Sequence, residues 1–213
     1  MKLFLDFDGT LVDVAARHHL VYATVVQRFG GKPMLQQRYW ELKRNHVRWA
    51  TILEISGVPL EVHASYMQEF VALIEQPEML LHDTLINGAL ETLHALANDH
   101  ELYLVSLRRS HERLRDQLFH LQIAPFFRRT FSGHTEEESG EKKAELIAQF
   151  IDDPRTCVVV GDTSSDVLAG KRLGTYTVAV QTGIRSAEYL GELKPDCLAT
   201  SIVELPAILR WLK

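Results

Sequence analysis

The sequence predicts an α/β fold, a doubly wound parallel sheet interrupted by an inserted α-helical domain. Three observations predict it. Short apolar runs alternate with amphipathic helical patterns from about residue 83 onward, which is the signature of parallel strands covered on both faces. The first apolar run, KLFLDF at Lys2–Phe7, is followed by about seventy residues that read as helix after helix. The apolar runs end in acidic and hydroxyl residues, at the strand ends where such sheets bind ligands.

Each element has its own signal. Lys2–Phe7 is an apolar run that turns acidic, and Gly9 lets the chain turn sharply after it. Val21, Tyr22, Val25, Val26 and Phe29 make one face of a helix that Gly30–Gly31 ends. Further helices are expected at about 35–44, 47–55 and 60–75, the last stopping before Pro77. The rhythm then becomes helix 89–98, strand 101–106, helix 111–121, strand FRRTFSG, helix 142–151, strand TCVVVGD, helix 164–173 and strand 175–180. A short strand near 196–199 and a helix over 202–212 close the chain. The expected domains are 1–13 with 83–213 as the α/β core, and 14–82 as the helical insertion.

Composition narrows the function. Lys and Arg number 23 against 28 Asp and Glu, a net charge of −5, which argues against nucleic acid as a partner. No apolar stretch is long enough to span a bilayer, so no membrane partner is expected. MKLFLDFDGT does not read as a signal peptide. Cys157 and Cys197 form no disulfide or zinc pattern, and Cys157 reads as a small buried hydrophobe. These readings make the cytoplasm the expected compartment.

The strand ends carry the chemistry. Asp6 and Asp8, at i and i+2 after the first strand, point the same way on an extended chain. Two crowded carboxylates call for a cation or a proton, and a hard cation such as Mg²⁺ suits them. Ser106 ends the second long strand and either donates to a phosphate oxygen or caps the next helix. Arg108 and Arg109 follow it, as anion ligands or as a solvated turn. Asp162 closes TCVVVGD, placed to cap the next helix, with Asp166 four residues on. Lys142 and Lys143 open a helix whose macrodipole disfavours them, so one of them is expected to meet fixed negative charge and the other to balance Glu136–Glu138 at the surface.

DFDGTLVD, the serine of LYLVSLRRS, a lysine of GEKKAELI and GDTSSDVLAG occur in that order. Together they resemble the haloacid dehalogenase superfamily of phosphohydrolases, in the subgroup with a helical C1-type cap that includes phosphoglycolate phosphatases and β-phosphoglucomutases. The resemblance spans essentially the whole chain and implies a Rossmann-like core. By that resemblance Asp6 would be the nucleophile that forms an aspartyl phosphate, and Asp8 the general acid and base. Lys143, with Leu146 and Ile147 at i+3 and i+4, would neutralise charge; Lys142 remains the alternative. Ser106 and Leu107 would bind the phosphoryl group. Asp6, Asp8 through its main-chain carbonyl and Asp162 would hold Mg²⁺, with Asp166 either an additional ligand or just behind them. In the cap, LKRNHVRW offers Lys43, Arg44, His46 and Arg48 to an anionic substrate, or forms a solvated corner. His18 and His19, shortly after Asp13, either face the entrance to the site or, as the expected reading, lie at the surface; Trp40 and Trp49 are expected in the cap core.

The reading is a Mg²⁺-dependent phosphatase of a small phosphorylated metabolite, monomeric or homodimeric. A phosphomutase would use the same residues. A receiver domain would be about half this length and put its accepting aspartate on a middle strand. A binding protein on an inactive scaffold would not need the full set of ionisable groups.

Overall fold

The computed structural model describes residues 1–133 and 140–212, so Glu136–Glu138 lie outside the described residues. The chain begins with β1 (Lys2–Leu5), β2 (Val12–Asp13), α1 (Ala15–Arg28), α2 (Gln36–Arg44), α3 (Trp49–Ile55), α4 (His63–Ile74) and α5 (Pro77–Leu80). It continues with β3 (Thr84–Leu85), α6 (Ala89–Asp99), β4 (Glu101–Ser106), α7 (His111–His120), β5 (Phe127–Ser132) and α8 (Glu141–Ala148). It ends with β6 (Cys157–Gly161), α9 (Ser164–Leu173), β7 (Tyr176–Val180), α10 (Ala187–Glu192), β8 (Cys197–Ala199) and α11 (Leu205–Arg210). Two compact units result, 1–13 with 85–213, and 14–84.

The first unit is built on a six-stranded sheet in the order β5-β4-β1-β6-β7-β8. All its pairings are parallel. Parallel strands are covered on both faces, which explains their nearly unbroken apolar sequences. Phe4, Tyr103, Val105, Cys157 and Val159 pack on one face with Ile147 of α8. The intervening Leu3, Leu5, Leu102, Leu104, Val158 and Val160 are equally buried. The strand order reverses at β1: the chain builds outward through β4 and β5, then returns to the other side of β1 with β6. That reversal opens a crevice at the carboxyl ends of β1 and β6.

The second unit has its own core. Val21, Tyr22, Val25 and Val26 of α1 meet Tyr39 and Leu42 of α2, Ile52 and Leu53 of α3, and Tyr66 and Phe70 of α4. The Tyr22 and Tyr39 rings stack at 4.2 Å. The Tyr22 hydroxyl accepts from the Met34 N–H at 3.0 Å and pairs with Ser56 Oγ at 2.7 Å. Trp40 and Trp49 lie partly buried against this cluster. His18 is buried, not at the surface, because it falls on the apolar face of α1 and packs near Trp40 and Phe70. His19 is half-buried, and its Nε2 lies 2.9 Å from the Met34 carbonyl.

Several boundaries differ from the sequence reading. The fourth helical segment starts as a 3-10 turn at Leu60–Val62, and Pro77 opens α5 rather than merely following a helix end. Proline suits a first helical turn, whose N–H groups have no intrahelical partner. α8 ends at Ala148, while Phe150 and Ile151 stay in the core cluster beyond it. The last helix likewise begins as a 3-10 turn at Ile202–Glu204. The two-residue strands β2 and β3 and the six-residue α10 are too short to show a period. Among the described residues no helix is long and apolar enough to cross a membrane.

A buried ion pair lies within the second unit. Arg17 Nε donates to Asp83 Oδ1 at 2.9 Å, with side-chain exposures of 2% and 0%. Arg17 also donates to the Ile74 carbonyl at 3.2 Å. Removing one partner strands a buried charge. Arg17→Met is therefore expected to lower the free energy of unfolding by about 3 kcal/mol. Arg17→Met combined with Asp83→Leu should cost less than Arg17→Met alone. Urea unfolding of both variants checks this.

Candidate active site

The site is assembled from strand ends of the first unit. The Asp6 N–H donates to the Val160 carbonyl at 2.9 Å, continuing the β1–β6 pairing and fixing where its side chain leaves the sheet. Asp162 stands at the end of β6 and is fully buried. Lys143 lies on α8, whose Ile147 faces the core, and its ammonium is carried inward. Its Nζ is 2.9 Å from Asp6 Oδ1 and 2.5 Å from Asp166 Oδ1. Lys142, one residue earlier, faces outward and pairs with Glu145 at 3.3 Å.

Asp166 has a second task. It is N3 of the capping box that starts α9: its Oδ2 accepts from the Thr163 N–H at 3.1 Å and the Thr163 hydroxyl at 2.7 Å. The cap of α9 is thus Thr163 with Asp166, not Asp162. Asp162 turns away from the helix, where its Oδ2 accepts from the Ile184 N–H at 2.6 Å and its Oδ1 from Thr10 Oγ1 at 3.4 Å. Two glycines make room for these carboxylates. A Cβ at Gly161 would overlap the Asp166 carboxylate, and one at Gly183 would overlap that of Asp162.

Asp6, Asp162 and Asp166 each offer an oxygen within 4.8 Å of the others. Burial pushes the Asp6 carboxyl up to about 7; Lys143 opposes this and the Asp166 charge adds to it. Burial, then the charges of Asp6 and Asp166, also raises Asp162 well above the usual carboxylate range. Burial alone would lower Lys143, but the charges of Asp166 and Asp6 outweigh it and hold the lysine above its usual value. Three buried carboxylates against one ammonium leave negative charge uncompensated. An all-oxygen donor set with that excess fits a hard divalent cation such as Mg²⁺.

The Asp8 carboxylate is not in that cluster. Arg108 grips it at both oxygens, Nε to Oδ2 and an Nη to Oδ1, each at 2.6 Å. Arg108 is only 4% exposed, so it is no solvated turn, whereas Arg109 is exposed. Ser106 is buried and accepts from the Arg108 N–H at 3.3 Å. It does not cap α7, because Ser110 does, accepting from the Arg113 N–H. Leu107 follows it, half-buried.

The cap candidates belong to the second unit. Lys43 is half-buried with Nζ 4.9 Å from the Trp49 ring centre, a cation–π contact. Arg44 is half-buried, and Arg48 and His46 are exposed. The sequence reading missed Thr10, Thr163, Gly183 and Ile184. The available signals were the threonine of DGT and the glycine of QTGI, just past the end of β7.

The structure thus places a buried acidic cluster and a buried lysine where the order of a parallel α/β sheet reverses. The chain belongs to the haloacid dehalogenase-like hydrolases, whose family model matches residues 3–180. It is 24% identical to the pyrophosphatase PpaX of Listeria monocytogenes serotype 4a over 98% of this chain and 95% of that protein. Among solved structures, a haloacid dehalogenase-like hydrolase of Streptococcus pneumoniae superposes with a TM-score of 0.79 at 18% identity, covering 98% of this chain and 97% of that one. A Thermotoga maritima protein provisionally assigned as a β-phosphoglucomutase gives 0.71 at 17% identity, covering 100% and 99%. These two likenesses establish the fold.

The raised Asp6 carboxyl has a consequence for stability. Its folded pKa of about 7 exceeds the ordinary 3.8, so the folded chain holds the proton more tightly than the unfolded chain does. The stabilising effect is complete below the unfolded value and is lost as pH rises through about 7. In chelator, Asp6→Asn should unfold at a higher temperature than wild type at pH 8, by a few degrees. That advantage should shrink toward pH 5. Thermal unfolding of both proteins across this range checks the sign.

Proposed function

We propose that the chain is a divalent-cation-dependent phosphohydrolase that acts on a small phosphorylated metabolite through an aspartyl phosphate. The observation that carries this reading is the Lys143 ammonium held between Asp6 and Asp166, beside Asp162. Phosphoryl transfer needs an in-line nucleophile and neutralisation of spreading negative charge. In the reading, an Asp6 oxygen attacks phosphorus, the bond to the leaving oxygen breaks, and Asp8 gives that oxygen its proton. Asp8 then takes a proton from the water that attacks the aspartyl phosphate, which releases phosphate and restores Asp6. Lys143 offsets charge on the nucleophile and on the transferred group, and the Ser106 hydroxyl donates to a phosphoryl oxygen. Asp6, Asp162 and Asp166, with the Asp8 carbonyl, would hold Mg²⁺, which would add positive charge at the phosphoryl group.

Lys43, Arg44 and Arg48 of the cap are assigned to contacts with the leaving part of the substrate. The likeness to pyrophosphatases over nearly the full length places pyrophosphate among the compounds to test, beside phosphorylated sugars and hydroxy acids. The cytoplasm is the compartment assigned. The monomer and the homodimer both remain compatible with this reading.

Phosphate release from an aryl phosphate and from that panel, with Mg²⁺ present, tests the proposal. Asp6→Asn should abolish release. Chelation should stop the wild-type reaction and added Mg²⁺ restore it. Lys143→Ala should lose at least about 100-fold in kcat, the scale of removing one fixed charge-stabilising group. Lys142→Ala, altered at an exposed pair with Glu145, should stay within about twofold. Full activity in Asp6→Asn, or the reverse order of the lysines, would refute these assignments. Turnover that needs a bisphosphorylated sugar and frees little phosphate would mark a mutase instead.

A further inference from the structure

The two crowded aspartates of DFDGT were expected to need a cation or a proton, and each has a basic side chain against it. Lys143 serves Asp6, while a different cation serves Asp8. Arg108 meets Asp8 with two parallel N–H donors, Nε to Oδ2 and an Nη to Oδ1, each at 2.6 Å. This fork-to-fork geometry fixes the plane and tilt of a carboxylate, which a point charge does not do. The guanidinium is itself held. It is buried, and its Cζ lies 5.3 Å from the centre of the Phe7 ring, between the two aspartates in sequence. The Arg108 main-chain N–H donates to Ser106 Oγ at 3.3 Å. One turn after β4 therefore sets both the hydroxyl assigned to the phosphoryl group and the orientation of Asp8.

We propose that Arg108 is a positioning residue for Asp8: it locks the carboxylate in the orientation from which Asp8 exchanges protons with the reacting oxygens. The inference rests on the role given to Asp8 above. A carboxylate has about four lone-pair sites, and the fork occupies two. Asp8 is 21% exposed at its side chain against 3% for Arg108, so the held group faces the open side and the holding group the protein. Free rotation of Asp8 would cost rate through misplacement, and a displacement of about 1 Å can cost about 100-fold.

The test is a double-mutant cycle with kinetic and unfolding readouts. Arg108→Lys keeps the charge and loses the fork. It should fold, keep KM for an aryl phosphate within about threefold, and lose about 10- to 100-fold in kcat. In an Asp8→Asn background the same change should cost less than about threefold, because residues that act as a unit are non-additive. Free guanidinium should restore part of the activity of Arg108→Ala and none of that of Asp8→Asn. Thermal unfolding of the four proteins should show the same coupling between the two positions. Equal losses from Arg108→Lys with and without Asp8, or an effect confined to KM, would overturn the inference and mark Arg108 as a direct substrate ligand. A wild-type chain that frees no phosphate from any compound would overturn the proposed function, and this inference with it. An active wild type with additive losses overturns the inference alone.

Discussion

One buried ammonium, shared by two buried carboxylates, is the interaction on which the site depends. Lys143 reaches Asp6 and Asp166 at once, and those residues come from the end of β1 and the first turn of α9. A buried charge left without a partner is among the costliest features a fold can carry. The lysine therefore ties α8 to the two elements it serves, and each must be placed correctly for any to be. The arrangement on either side supports it: Ile147 anchors α8 in the sheet core, and the capping box holds Asp166 at a fixed point on α9.

Asp166 shows how one side chain can satisfy structure and chemistry together. One oxygen closes the helix start and the other meets the lysine. The helix cap and the lysine contact therefore use different atoms of one carboxylate. The glycines at 161 and 183 are the negative image of this crowding, since each leaves a space that an acidic side chain fills. The site's electrostatics are correspondingly tense. Burial and the neighbouring carboxylates raise Asp6 and Asp162, so the folded chain carries a cost at this cluster whenever both are ionised.

Much of this was legible in the amino-acid order. The strand at Glu101–Ser106 and the helix at Ser164–Leu173 occur where apolar runs and turn residues predicted them. Both are long enough to show a period and are bounded by recognisable stops. The acidic strand ends were visible because parallel sheets collect ligands there. The cap of α9 was misassigned, because Asp162 and Thr163 are adjacent and sequence alone cannot tell which one turns toward the helix. The Asp8–Arg108 pair was out of reach, since it joins residues 100 positions apart and no local pattern records it. His18 was misplaced because a histidine on an amphipathic face reads as polar until the aromatic rings around it are known. The shortest elements, β2, β3 and α10, carry too few residues to reveal a rhythm.

The sheet order also bears on how the chain comes into being. β1 ends as a central strand, between β4 and β6, yet it is made well before either of them. Its neighbours begin only at Glu101 and Cys157, so KLFL has both edges bare until β4 is made and one edge bare until β6 is. The helical segment at 14–84, which has its own core, emerges in that interval, while β1 waits. Contacts this remote in sequence form slowly, and unpaired apolar strands invite aggregation. The chain is thus most open to misassembly before residue 157 is made, and the two aspartates directly after KLFL put charge where a bare apolar strand is best protected from pairing with another copy.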